Sequence, residues 1–529
     1  MTANVAQLFF DVAHRQADRL AFVSGGPSGR RITFGELRRS VERFAGGLAS
    51  QGFREGDRAL FLLPMSPELY VAVLGALTAG GVAVFVDPWV PLRQIARLAA
   101  DARPAAVIGT PRAHLLRLLA PELRRVRISV TTGGLGSSIA ARLRFDDLTG
   151  TAAVVRVPPD APALITYTTG SSGAPKAVNR THAILAAQHH VIREEFPTEA
   201  TDVDLTTFPV FALSNLASGV TTVIPRVDLR RVSGADPAVV LGDIQEFGVA
   251  TAAASPPLFD LLAERLRATG ASPPALRRIV TGGAPVRDDQ LRRWRDAFPA
   301  AQIVVAFGSS EAEPVASISA DDRLAIESPG LAGYCAGTPV QAVRTRIARI
   351  THGPMERVAD AQSGTVGELL VAGPHVCREY VDDPGGRAFA DNKVREPDGL
   401  VWHRMGDTGY FDAQGRFWLV GRVHSTIRRA GVDVHAQLVE QAARGSDVRV
   451  RRVAALGIPD QALGQRLVVV IESDDPGVVA AVRDRLAANG GVPADELIVT
   501  RKPLPVDPRH NSKIDYQRLR VILQAGSLE

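Results

Sequence analysis

The sequence predicts an α/β fold, a large multi-subdomain body of layered β-sheets and helices followed by a small α+β unit at the C-terminus. Three observations carry this. Helical apolar spacing alternates with short apolar strand-like runs from the first residues onward. The pattern resets after Gly415-Arg-Phe-Trp-Leu-Val-Gly421. The chain's 529 residues are too many for one ordinary hydrophobic core.

The elements follow in order. Thr33-Phe-Gly-Glu36 has the form of a capping box. Behind it Phe34, Leu37, Val41, Phe44, Ala45 and Leu48 fall at three- and four-residue spacing, one apolar helix face that Gly52 ends. Residues 58–63 read as a buried strand. The uncharged run 70–86 approaches the length of a membrane span, but Gly80-Gly81 divides it. It therefore predicts a helix through Ala79, a turn and a buried strand Val82–Val86 ended by Asp87-Pro88, with no membrane span. The helix-then-strand rhythm recurs at 92–100 with 105–108 and at 258–267 with 278–280, which argues for largely parallel sheets. Beyond the reset, strands are expected near 453–456 and 467–471, a helix at 476–489, a strand at 497–500 and a last helix from Asp515. The domains are read as 1–421 and 422–529, with a hinge at about 421–425.

Charged residues make up 22% and hydrophobic residues 46%, an ordinary globular balance. A net charge of +5 is small for this length, and the arginines are interspersed with acids, so nucleic acid is not an expected partner. The two cysteines, Cys335 and Cys377, supply neither a disulfide framework nor metal-ligand spacing, which fits a reducing compartment. The first twenty residues lack a basic segment and a small-residue cleavage site, so a cytoplasmic location is expected.

Only four of the 61 basic residues are lysines. An ammonium is a compact point donor and a guanidinium a planar fork, so the two do not interchange at tight sites. Lys176 closes the run Tyr167-Thr-Thr-Gly-Ser-Ser-Gly-Ala-Pro-Lys176, and Lys513 sits in Leu504-Pro-Val-Asp-Pro-Arg-His-Asn-Ser-Lys513. Lys393 and Lys502 fall in segments with no such pattern, and chance accounts for them.

Thr168, Thr169, Gly170, Ser171, Ser172 and Gly173, with Lys176, make a Gly-, Ser- and Thr-rich loop after an apolar strand. Backbone N–H groups, hydroxyls and a lysine together suit a polyphosphate. The loop is not a Walker A sequence, because Pro175 and Ala177 stand where a glycine and a Ser or Thr are required. Phe307-Gly-Ser-Ser-Glu311 follows another apolar strand. Its ring can stack on a purine, its hydroxyls can bond phosphate, and its carboxylate can hold Mg²⁺ beside phosphate oxygens. Gly282-Gly-Ala-Pro285 is a turn of close backbone approach. Asp407, in Arg404-Met-Gly-Asp407, suits a ribose diol or an Asx turn. Arg422 suits a phosphate or ribose contact, or an ordinary surface position.

In this order the motifs, with Gly367-Glu-Leu369 between them, resemble the adenylate-forming superfamily over essentially the whole chain. The resemblance implies a large N-terminal body and a small mobile C-terminal lid. It also implies attack of a carboxylate on the α-phosphorus of ATP, with Mg²⁺, to give an acyl-adenylate and pyrophosphate. Under it, Thr168 to Lys176 cradle the β- and γ-phosphates, and Gly283, Ala284 and Pro285 line the adenine. Phe307 stacks on the base, with Gly308 and Ser309 beside it. Ser310 bonds the α-phosphate and Glu311 holds the metal. Asp407 and Arg422 hold the ribose, Lys513 bridges the carboxylate and α-phosphate in the transition state, and His424 occupies the hinge.

The substrate-pocket stretch, with Phe208, Phe211 and Ala212, contains no acid to pair an α-ammonium, which disfavours amino acids. Finer runs are similar to the olefin β-lactone synthetases. These are Asp204-Leu-Thr-Thr-Phe-Pro-Val-Phe-Ala-Leu213, Val223-Ile-Pro-Arg-Val-Asp228, Gly333-Tyr-Cys-Ala-Gly-Thr-Pro-Val340, His403-Arg-Met-Gly-Asp-Thr-Gly-Tyr-Phe411 and the run ending at Lys513. That resemblance implies a β-hydroxy acid substrate whose own hydroxyl captures the adenylate to close a β-lactone, and partner enzymes of a lipid or natural-product pathway. The alternative is an acyl-CoA ligase, since Gly431 matches a glycine those enzymes use beside the pantetheine tunnel. An inactive adenylate-binding homologue is the third reading. Retention of Lys176, Glu311, Asp407, Arg422 and Lys513 together opposes it.

Overall fold

The computed structural model describes residues 4–25, 29–86, 92–133, 141–169, 175–228, 232–326, 333–488, 492–506 and 514–525. Within them the chain forms three sheets of 14, 8 and 5 strands. The helix Phe34–Ser50 begins at the predicted capping box, with the Thr33 side chain accepting from the Glu36 N–H. The 70–86 run divides as expected into the helix Pro67–Thr78, a turn and the strand Val82–Val86. Among the described residues, no helix is long and apolar enough to cross a membrane.

The 8-stranded sheet is parallel through Arg58–Leu62, Val82–Val86, Ala106–Gly109, Ile128–Thr131 and Pro162–Thr169. Beyond Pro162–Thr169 it turns antiparallel, through Pro175–Thr181 to the edge strand Tyr380–Val381. The 14-stranded sheet is parallel through Val203–Thr206, Thr251–Ala254, Arg278–Gly282 and Gln302–Ser309. From Ala312–Ser319 to Phe417–Arg422 its pairings turn antiparallel. Here the expectation of largely parallel sheets holds for only part of the sheet. Turns and loops, rather than crossover helices, link most of these later strands, and neighbours joined without a crossover pair antiparallel.

The third sheet is built from residues 426–500. Its strands Arg452–Asp460, Gly464–Glu472 and Glu496–Thr500 lie where expected, as do the helices Val478–Ala488 and Tyr516–Gln524. A hairpin of Thr426–Arg429 and Val432–His435 and the helix Ala436–Arg444 were not expected. Ala430 and Gly431 form the hairpin's two-residue turn, both at positive φ (48° and 82°). That geometry is a type I′ turn, usually signalled by Asn-Gly or Asp-Gly, and Ala-Gly conceals it.

Strands Ala312–Ser319 and Tyr334–Pro339 approach so closely at Gly337 that a Cβ there would sit 1.8 Å from the Ser317 carbonyl oxygen. Gly353 has the same φ of 92° with nothing within 4 Å of its would-be Cβ. Gly353→Ala should therefore cost only backbone strain, about 1–2 kcal/mol. Gly337→Ala should cost at least about 2 kcal/mol more, because a strand must also move. Urea midpoints of the two variants check this, and equal losses would contradict it.

Candidate active site

The strands Arg278–Gly282 and Gln302–Ser309 run parallel with Gly282 opposite Ala306. The Gly282-Gly-Ala-Pro285 and Phe307-Gly-Ser-Ser-Glu311 segments therefore leave the sheet at the same carboxyl edge, where open α/β sheets bind ligands. Gly283 takes positive φ (78°) to turn away from the edge, with Ala284 and Pro285 following. Ser310 and Glu311 form the turn that returns the chain antiparallel, with Ser309 opposite Ala312. Phe307 through Glu311 are all half-buried, the rim of an open site. The Phe307 ring rests 5.6 Å from that of Phe417, Gly308 passes tight against the Ala312 carbonyl, and the Ser309 hydroxyl lies 3.7 Å from the Met405 sulfur.

The 8-stranded sheet contributes Lys176. Thr168 faces Lys176 across a hairpin, so this lysine stands on a strand and not at a helix N-terminus. Residues 170–174 lie outside the described residues, as do the side chains of Thr168 and Thr169. The predicted phosphate contacts of Thr168, Thr169, Gly170, Ser171, Ser172 and Gly173 thus carry no geometry here. Lys176 is buried and donates to the Asn392 side-chain oxygen. Burial lowers its pKa, and the Glu311 and Asp391 carboxylates oppose that. Arg180, two turns of the pleat along the same strand, donates to the Ser310 carbonyl (2.6 Å) and ties the two sheets at the rim.

The third contribution is the strand Val401–Phe411, with the short strand Lys393–Arg395 beside it. Arg404 and Glu368 form a buried ion pair (2.7 Å), and the same guanidinium donates to the carbonyls of Thr351, Gly353 and Asp391. Asp407 faces Arg422 across the strand pair and is bridged to it at 3.0 Å. His424 lies in the short turn Val423–Ser425, between the last strand of the large sheet and the first of the small one. The hydroxyls of Ser425 and Thr426 both donate to the Arg422 carbonyl there. Lys513 lies outside the described residues.

Glu311 is where these contributions meet. Burial alone would push its carboxyl up. His403, Lys393 and Lys176, with the hydroxyl of Tyr380 donating at 3.1 Å, outweigh burial and hold it below the usual carboxylate range. His403 is itself driven down to about 3 by burial. Lys393 is itself depressed to about 8 by burial. Tyr380, Asn392, Lys393 and Arg180 were not singled out from the sequence. The scarcity of lysine was a signal that could have found Lys393.

No group of three or more His, Cys, Asp or Glu side chains that could hold a metal occurs among the described residues. A single ionised carboxylate beside two serine hydroxyls fits Mg²⁺, which is held by one or two carboxylates together with substrate phosphates.

The Phe211 ring lies 5.9 Å from that of Phe196, at the end of the helix His182–Glu195, and 5.8 Å from that of Phe208. With Ile192, Val280 and Val304 they form an apolar layer against the sheet. Ala212 faces the opposite way, into the core that holds Leu216. Asp204, which precedes the acid-free stretch Phe208–Gly219, borders a small cavity here. Its oxygens are taken by Thr251 (2.6 Å) and Asn215 (2.8 Å), and burial pushes it up to about 6. A larger cleft of about 600 Å³, lined by Glu195, Arg278 and Gln302, opens at the amino ends of the strands and holds none of the residues predicted to contact nucleotide or acyl substrate.

The AMP-binding enzyme family matches residues 9–381. The chain is 33% identical to the olefin beta-lactone synthetase of Stenotrophomonas maltophilia (strain K279a), with 98% of this chain and 97% of that protein covered. It is 32% identical to the olefin beta-lactone synthetase of Xanthomonas campestris pv. campestris over the same shares. Feruloyl-CoA synthase of an Amycolatopsis species is 28% identical over 87% of this chain and 88% of its own. Among solved structures, ATP-bound MatB from Rhodopseudomonas palustris superposes with a TM-score of 0.80 at 22% identity, covering 100% of both chains.

The Arg404–Glu368 pair anchors the strand that carries His403 and Asp407. Arg404→Met leaves Glu368 buried without its cation and should destabilise the protein by about 3–5 kcal/mol. Adding Glu368→Met should recover most of that loss. Urea denaturation of both variants measures it, and a single-variant loss below about 1 kcal/mol would contradict the anchoring role.

Proposed function

The chain belongs to the AMP-binding enzyme family and is an acyl-adenylate-forming ligase, and we propose that its substrate is a β-hydroxy carboxylic acid. ATP activates the carboxylate, pyrophosphate leaves, and the acid's own β-hydroxyl attacks the activated carbonyl to close a β-lactone and expel AMP. The observation that carries this reading is the near full-length similarity to two olefin beta-lactone synthetases.

The residues divide the work as follows. Lys176 and the segment 168–173 take the β- and γ-phosphates. Gly283, Ala284 and Pro285 line the adenine, Phe307 stacks on it, and Gly308 and Ser309 allow the close approach. Ser310 bonds the α-phosphate, while Asp407 and Arg422 hold the ribose. When bound at Glu311, Mg²⁺ neutralises charge that gathers on the phosphate oxygens. Lys513 supplies a second, preorganised positive charge between carboxylate and α-phosphate, where transition-state charge develops. The layer around Phe208 and Phe211 receives an apolar tail, with Ala212 in the helix behind it. The divisions 1–421 and 422–529 move about His424 as body and lid, in the cytoplasm.

The lactone step needs little further chemistry. The hydroxyl is tethered two carbons from the activated carbonyl, so its effective concentration is high. The protein has only to hold the rotamer that turns it inward and to exclude water. A second reading, thioester formation with CoA, is favoured by the similarity to feruloyl-CoA synthase.

Incubation with ATP, Mg²⁺ and a panel of β-hydroxy acids, with and without CoA, separates the two by mass analysis. The expected products are AMP, pyrophosphate and a compound lighter than the acid by one water, with CoA neither incorporated nor accelerating turnover. An acyl-CoA thioester as the main product would overturn the lactone reading.

A further inference from the structure

Lys393 is 1% exposed and ranks among the largest fully buried side chains of the protein. Its three donors find one protein acceptor among the described residues, the Cys377 carbonyl. The ammonium also lies 5.2 Å from the centre of the Tyr380 ring. A buried ammonium with so few partners is unfavourable compared with an apolar side chain of the same length. Packing therefore does not explain why a lysine stands here, in a chain that otherwise uses arginine for nearly every cation.

Its two neighbours supply a reason. The Cys377 N–H donates to the Glu311 carbonyl (2.8 Å), and the Tyr380 hydroxyl donates to the Glu311 carboxylate (3.1 Å). Lys393 thus touches both residues that hold Glu311, one at its backbone and one at its side chain. No ion pair joins Lys393 to Glu311 directly among the described residues, and Tyr380 takes only one of the two carboxylate oxygens. A cation one residue removed leaves the carboxylate unoccupied by a direct ion pair. The pairing of Lys393 with His403 across the strands fixes the ammonium on this face.

We propose that Lys393 is a positioning residue that orients and electrostatically supports the Glu311 carboxylate, through Cys377 and Tyr380, for the divalent cation that accompanies the nucleotide. The inference rests on the reading of Glu311 as the cation's carboxylate. Lys393 does not touch the substrate. Outer groups of this kind commonly change metal affinity by about 10–100-fold.

Lys393→Met keeps length and removes charge, so it should fold with a urea midpoint at or above that of the parent. Calorimetric titration with ATP in EDTA should then agree with the parent within about twofold, while the gain in affinity on adding Mg²⁺ falls by about tenfold or more. In pyrophosphate–ATP exchange, the Mg²⁺ concentration for half-maximal rate should rise by a similar factor, with much of the rate regained at saturating Mg²⁺. Tyr380→Phe should raise the requirement alone but add little in the Lys393→Met background, because the two act on one carboxylate. Glu311→Gln, run alongside, separates the possible failures. If Glu311→Gln raises the Mg²⁺ requirement and Lys393→Met does not, the role of Lys393 is overturned alone. If Lys393→Met weakens ATP equally with and without Mg²⁺, the role is likewise overturned. If Glu311→Gln leaves the requirement unchanged, the cation assignment falls and the inference falls with it.

Discussion

The parallel pairing of Arg278–Gly282 with Gln302–Ser309 is the constraint on which the rest of the site depends. Parallel strands in register deliver their following loops to one edge, so two segments far apart in function, a backbone turn and an aromatic–hydroxyl–carboxylate run, arrive side by side. The antiparallel turn at Ser310 and Glu311 then fixes the carboxylate at the rim. Everything else is brought to that edge. The neighbouring sheet supplies Lys176 and Arg180, and the strand Val401–Phe411 supplies His403 and Asp407.

Electrostatics at this edge follow from burial as much as from sign. Burial works against the charged forms of Glu311, Lys176 and Lys393 alike, and for Glu311 its positive neighbours outweigh that. Arg404 and Glu368 solve the same problem differently, by a direct pair saturated with backbone carbonyls. The first arrangement leaves polar capacity at the rim, and the second uses it up. That contrast separates a cluster suited to a phosphate-bearing ligand from one suited only to holding strands together.

Much of this was legible in the sequence, for identifiable reasons. Thr33 and Glu36 announce a helix because a capping box is local chemistry. Gly80-Gly81 divides an apolar run because the turn there needs backbone freedom that Gly80 provides at φ 77°. Lys176 and Glu311 stood out in the sequence as candidates because each closes a contiguous motif. Tyr380, Asn392 and Lys393 did not, because their importance arises only when three separate strands meet at Glu311. The hairpin at Ala430-Gly431 was hidden by an alanine at positive φ. The antiparallel half of the large sheet escaped notice because its strands lack the helix-then-strand rhythm used to infer parallel pairing.

In the proposed reaction the carboxylate is activated and the hydroxyl is the nucleophile. Oxygen tracing tests this most directly. A β-hydroxy acid labelled with ¹⁸O in its carboxylate, turned over without CoA, should yield AMP carrying one labelled oxygen, and a lactone that keeps its hydroxyl oxygen in the ring. Label placed in the hydroxyl should never reach phosphate. Transfer of the hydroxyl oxygen to AMP or to any phosphate product would show that the alcohol, and not the acid, is activated, and would contradict the account.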